Sequence, residues 1–345
     1  MRTAREWLWA AGLGAVLLAA SCQSREQPPV YYPPPPGAGY GGQPAYAPAP
    51  GAYPPPAPGA PAIPQPVPGP QPTLPPVAQD PINLVDLNFL RGRAQAVLVE
   101  LVGNLPPAQQ GRVRGIPLVV DSEVGEVNAY AACTQSGKTA MAISDGLLDV
   151  ESHLAQARAL DELFGSRKVD EYVRYLAANQ RPKSPVVRPP PGMFDPAQSV
   201  DARKVARQHQ LLDEQIAFVL GHELAHHYLG HLPCTSTSVI SAAEVGRVLS
   251  DAVPLFNQPN ELAADMAGVN NVLTTGSRRT GYRLTEGGAL LTMQFFSGID
   301  QLTPGSIIFG FERSHPPPAL RTPIIQQTAA AWRATGGQGL PILGF

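Results

Sequence analysis

The chain has 345 residues, 25 Lys and Arg against 27 Asp and Glu, a net charge of −2 and 40 prolines. From residue 80 onward, 22 basic residues face 25 acidic ones with no basic stripe, which excludes nucleic acid as a partner. That stretch is about one to two domains' worth of chain and reads as a single domain.

Residues 1–22 read as a targeting segment. Arg2 and Arg5 form a positive start, Leu8 to Ala20 a short apolar stretch, and Leu18-Ala19-Ala20-Ser21-Cys22 resembles a lipobox. Cleavage there leaves Cys22 as a lipidated N-terminus; simple cleavage after a small-residue site is the alternative. Gln23 rather than Asp after the cysteine points to the outer membrane. Residues 23–79 form a tether: 28–78 hold 21 Pro and no charged residue. Such a composition buries no core and populates polyproline II, with an upper reach of roughly 150 Å at about 3.1 Å per residue.

In residues 80–345 the pattern predicts a first amphipathic helix over 82–105. Three short strands follow at 116–121, 127–134 and 138–144, then helices at 146–164 and 168–179. The proline-rich stretch 180–200 is expected to be a loop passing near the cleft. A long apolar helix begins near Asp201, and further helices are expected around Glu261, at 282–298 and at 317–335. Helices around one small sheet define an α+β domain, mostly helical. Beyond residue 22 no apolar run is long enough to span a bilayer.

The chemistry concentrates in His222-Glu223-Leu224-Ala225-His226. Residues four apart share a helical face, so His222 and His226 can offer ring nitrogens to one metal ion while Glu223 reaches a water beside it. Five of the seven histidines lie between His209 and His231. The flanking residues make this helix apolar on most faces, hence buried, and buried imidazoles and a carboxylate need partners.

A catalytic zinc site usually takes three protein ligands. The metzincin spacing fails, because Leu229 and Leu232 stand where a Gly and a third His are required. A glutamate from a second helix is the other solution, and Asn260-Glu261-Leu262-Ala263-Ala264-Asp265 supplies it. Glu261 is then the third ligand. Asp265, one turn on, accepts a hydrogen bond from the far nitrogen of a ligand histidine, expected to be His222. His227 and His231 fall off the metal-facing stripe, His231 as a structural hydrogen-bonder, and His153 and His209 read as surface residues. Cys133 and Cys234 either pair as a disulfide stapling the zinc helix to the sheet or remain buried thiols.

These residues resemble the HtpX and CAAX-prenyl-protease family of zinc metallopeptidases, a gluzincin group. Four blocks carry the resemblance in order: Val127-Asn128-Ala129-Tyr130-Ala131 with Ala140 to Leu148, the His222 to His226 run, Asn260 to Asp265, and Ser314-His315-Pro316 with Arg321. It implies a zincin-type fold and one zinc ion held by His222, His226 and Glu261, with Glu223 as general base. It also implies an edge strand, Asn128 to Ala131, that holds the substrate backbone, and places His315 and Arg321 near the open side of the metal. His315 would either donate to the oxyanion or occupy the fourth coordination position and gate the site. The chain departs from the best-known members in lacking membrane-spanning segments after residue 22, which points to soluble lipoprotein relatives in the bacterial envelope. The expected function is an exported zinc metalloendopeptidase at the periplasmic side of the outer membrane, acting on misfolded polypeptides. The alternative is a gated or inactive zinc-binding, chaperone-like lipoprotein.

Overall fold

The computed structural model describes residues 80–134, 136–235, 258–304 and 309–339. The targeting segment, Cys22 and the tether lie outside these residues. The helices are α1 (Leu87–Asn104), α2 (Pro107–Val113), α3 (Asp145–Phe164), α4 (Lys168–Asn179), α5 (Pro196–Ser199), α6 (Ala202–Leu229), α7 (Gln258–Arg278), α8 (Gly287–Leu302), α9 (Gly310–Ser314) and α10 (Pro318–Ala334). The strands are β1 (Leu118–Asp121), β2 (Ala129–Cys133) and β3 (Thr139–Ser144). The fold is α+β and mostly helical, as the pattern predicts.

Side-chain caps set several boundaries. Asp86 accepts from the Asn88 and Phe89 amides, so α1 begins at Leu87 rather than at 82. Residues 80–86 instead form a turn in which Asp80 accepts from the Ile82 amide. Ser144 caps α3, and Gly165 ends it in the left-handed region at φ 68°. Three short helices escaped the periodicity, α2, α5 and α9, because one or two turns carry too few residues to show a period. α8 starts at Gly287, five residues later than expected, because Arg283 to Glu286 are spent on the approach to it.

The sheet has the order β1-β3-β2. β1 runs parallel to β3 and β2 antiparallel, with Ala131 opposite Met141 and Ala132 opposite Ala140. The Ser144 amide bonds to Asn128 O and the Thr134 amide to Lys138 O, so even-numbered residues of β2 face β3. Ala129, Ala131 and Cys133 therefore turn their main-chain groups to the free edge. That edge runs beside α6.

α6 is the axis of the core. From Leu211 to Tyr228 every residue is buried, enclosed by α3, α7, α8 and the sheet. Burying a side chain such as Leu212, Ile216 or Phe218 contributes about 1.5–3 kcal/mol. Two glycines let helices approach α6 at backbone distance. A Cβ on Gly268 of α7 would stand 3.0 Å from the His222 nitrogen, and one on Gly288 of α8 would stand 2.3 Å from that of Gln215. The first crossing brings α7 against the histidine pair. A disulfide joins Cys133, at the end of β2, to Cys234, just beyond α6. No helix among the described residues is long and apolar enough to cross a membrane.

Candidate metal centre and active site

His222 and His226 lie one turn apart on α6, and Glu261 sits in the first turn of α7, delivered by the Gly268 crossing. The two histidine Nε2 atoms are 3.2 Å apart. Glu261 Oε2 is 3.3 Å from His222 Nε2, and its Oε1 is 3.4 Å from His226 Nε2. All three side chains are buried.

The other nitrogens of both rings are already engaged. His222 Nδ1 is 2.9 Å from Asp265 Oδ1, and His226 Nδ1 is 3.1 Å from His231 Nδ1. With its Nδ1 proton donated to Asp265, neutral His222 presents a bare Nε2 toward its partners. Glu261 Oε2 has no hydrogen-bond donor. Facing lone pairs and an orphaned carboxylate oxygen are unfavourable unless a cation sits among them. Two imidazoles and one carboxylate are the donor set of a catalytic zinc site, so these residues fit the metal.

The electrostatics agree. Burial and the Arg321 charge act to lower His222, but the Asp265 and Glu261 carboxylates beside it outweigh them and push it up to about 9. Burial, then the His222 charge, drives His226 down to about 3. Burial would raise Glu261, yet His222 holds it down at about 2. The pocket thus calls for one positive charge and rejects a second proton.

Arg321, in α10, does not lie on the open side as the resemblance implies. It is fully buried behind His222. Its Nε is 2.9 Å from Asp265 Oδ2, its Nη2 is 2.6 Å from Oδ1, and Nη2 is 3.2 Å from His222 Nδ1. The Pro316-Pro317 turn and α10 carry it round to the back of the pocket, where a buried aspartate needs a countercharge. Arg321 therefore braces the carboxylate that orients His222.

Glu223 projects from α6 toward the sheet. Its Oε2 accepts the Ala131 N–H of β2 at 2.7 Å, and its Oε1 is 3.3 Å from His315 Nε2. Burial would raise this carboxyl, but the His315 contact and the neighbouring histidine charges hold it below its ordinary value. His315 is buried beside His222, their ring centroids 5.2 Å apart. Ser314 Oγ lies 2.8 Å from its Nδ1, and its ring stacks on Phe311 at 4.3 Å. The strand residues Asn128 to Ala131 come to the same cleft: Asn128 Oδ1 accepts from Ser314 Oγ at 3.3 Å.

Two expectations about histidines need correction. His153 is buried, 3.0 Å from Asp149 Oδ1 and edge-on to Tyr172, because α4 covers that face of α3. His209 is half-buried against Asp80, with Nε2 2.6 Å from Oδ2. His227 does leave the metal-facing stripe, but it points into the sheet, with Nε2 3.0 Å from Ala140 O. Among the described residues, the 180–200 loop ties to α3 and α4 rather than to the site, through Arg188 to Asp149 and Tyr172 to the Val187 carbonyl. Phe311 was not singled out beforehand, and nothing in the local pattern marks it.

A buried two-histidine, one-glutamate set beside a further glutamate on a helix–sheet junction is the centre of a metallopeptidase. The chain matches the model of peptidase family M48 over residues 108–329 and belongs to that family of metallopeptidases. No curated protein and no solved structure matches it.

Proposed function

We propose that the chain is a zinc metalloendopeptidase of the HtpX and CAAX-prenyl-protease type. In this reading it is exported, anchored through a lipid on Cys22 at the periplasmic side of the outer membrane, and hydrolyses peptide bonds of misfolded envelope proteins. The observation that carries the reading is the position of Glu223, one carboxylate oxygen on the free edge of β2 and its helix neighbours forming the metal pocket. The disulfide supports an oxidising compartment.

His222, His226 and Glu261 would hold the ion. When bound, zinc supplies Lewis acidity toward the scissile carbonyl and toward water. An extended substrate segment adds along Asn128 to Ala131 by main-chain hydrogen bonds, which favours unfolded chains and little sequence selectivity. Glu223 takes the proton of the attacking water and returns it to the leaving nitrogen. His315 Nε2 then stabilises the charge developing on the carbonyl oxygen. Asp265, braced by Arg321, holds the His222 ring in its tautomer.

The contact of His315 with Glu223 favours a second reading, a gated zinc-binding protein with chaperone-like action. Casein digestion by the zinc-loaded chain beside Glu223→Gln separates the two. Cleavage by the parent and a loss of about 10²-fold or more in the variant, with zinc still bound, is the expected result. One bound zinc per chain with no cleavage by either protein would reject the constitutive peptidase.

A further inference from the structure

α6 meets β2 where the strand offers little to grip. Ala129, Ala131 and Cys133 of β2 are small, Ala129 buried and the other two half-buried, and side chains of that size make few dispersion contacts. Beyond the Cys133–Cys234 disulfide at the strand's end, directional bonds then set the spacing between helix and strand. Two come from residues one turn apart on α6. Glu223 Oε2 accepts the Ala131 N–H at 2.7 Å, and His227 Nε2 stands 3.0 Å from Ala140 O. A carbonyl oxygen only accepts, so Nε2 carries the His227 proton; Nδ1 faces Cys234 Sγ at 3.9 Å. His227 and Ala140 are both buried, so neither group has water as a substitute partner.

Ala140 is the β3 partner of Ala132. The carbonyl that His227 holds thus belongs to the pair from which β2 hangs beside Glu223. The two ties differ in what turnover demands of them. As general base, Glu223 must offer lone pairs to water and then to the leaving nitrogen, and a carboxylate that has taken up a proton is a weaker acceptor for the Ala131 N–H for that interval. His227 has no reacting role and keeps its bond throughout.

We infer that His227 is a positioning residue, whose hydrogen bond to the Ala140 carbonyl holds the β2 edge at working distance from Glu223 while that carboxylate is engaged in proton transfer. The inference rests on the proposed role of β2 as the substrate-binding edge. It assigns a task to a histidine that touches neither metal nor substrate.

The test compares His227→Leu, which removes the donor at similar volume, with His227→Gln, whose amide nitrogen restores an N–H at similar reach. Two quantities are read: amide hydrogen exchange across residues 129–133 in the metal-free protein, and steady-state cleavage of an unstructured peptide by the zinc-loaded protein. For the leucine variant, exchange in β2 is expected to quicken about tenfold, the effect of losing one buried hydrogen bond to a carbonyl that keeps its ladder partner, the Ala132 N–H. KM should rise by a similar factor, with kcat lowered less than about threefold and zinc content unchanged. The glutamine variant should restore both. Unchanged exchange in β2 would overturn the inference, as would faster exchange with KM unmoved. Activity lost in step with zinc or with folding would make His227 a packing residue, and overturn it too. No cleavage by the unsubstituted protein would bring down the peptidase reading and the positioning role with it, whatever the exchange data show.

Discussion

Replacing Arg321 by methionine tests the assignment on which the metal pocket most depends. Arg321 and Asp265 are fully buried, and the guanidinium meets that carboxylate through both Nε and Nη2. Methionine keeps apolar contact with Phe218 and Phe311, whose rings face the guanidinium carbon at 5.8 and 5.2 Å. The change therefore isolates the loss of charge. Removing one partner of a buried ion pair costs about 3–5 kcal/mol, because the other is left uncompensated. Here His222 still donates to Asp265 Oδ1 at 2.9 Å, which keeps the cost near the lower end, about 3 kcal/mol. Urea unfolding of the metal-free protein measures it. A competition titration should show zinc bound about 10–100-fold more weakly, as when the support of a ligand histidine is lost. Adding Asp265→Asn removes the stranded charge, so stability should return to within about 1 kcal/mol while zinc affinity stays low. A loss under about 1 kcal/mol with zinc affinity intact would refute the brace. If kcat collapsed in that same variant, Arg321 would belong to the substrate side after all.

Gly268→Ala should force α6 and α7 apart at His222, where the added carbon meets backbone at 3.0 Å; zinc titration should show weaker binding, and calorimetry a lower Tm. Glu214 is buried, and burial, partly offset by Arg207 and Thr285, lifts its carboxyl to about 7 from 4.5. The folded protein keeps this proton after the unfolded chain has released it, so stability present below pH 4.5 is lost as pH rises through 7. The loss is on the order of 3 kcal/mol. Glu214→Gln should flatten that slope in urea titrations run from pH 4.5 to 8. Reducing the Cys133–Cys234 disulfide, which spans 101 residues, should cost roughly 2–5 kcal/mol by denaturation while leaving zinc affinity unchanged, since the ligands lie on α6 and α7.

The long elements and the pocket's donor set were legible because helical geometry fixes them. Spacing of four puts His222 with His226, and Glu261 with Asp265, before any tertiary fact is known. The strands were legible from β-branched and small apolar runs, to within two residues at their ends. What sequence could not show was which way a residue faces once the chain has turned. Arg321 follows a double-proline turn, and only the path of α10 decides whether it reaches the front or the back of His222. His153 looked like a surface residue because nothing local announces that α4 covers α3. α9 has five residues, too few to display a period, yet its Phe311 forms the wall on which His315 stacks.

The sequence His222-Glu223-Leu224-Ala225-His226-His227 contains two pairs of residues spaced by four, offset by one position. An offset of one residue on an α-helix is a rotation of about 100°. The first pair, His222 and His226, therefore faces α7 and Glu261, while the second, Glu223 and His227, faces the sheet. One helix thereby presents the metal-holding groups and the strand-holding groups on adjacent faces at a fixed angle. Each face depends on a different close approach: Gly268 against His222 for the first, and the hydrogen bonds to Ala131 and Ala140 for the second. Perturbations of the two faces should accordingly separate. Changes at Gly268, Asp265 or Arg321 act through zinc affinity, whereas changes at His227 or the disulfide act through KM. Glu223 alone belongs to both, since its carboxylate is held by the strand and, in the proposed mechanism, would act on water beside the ion. In that reading it can be a base only within a pocket whose two walls are fixed independently.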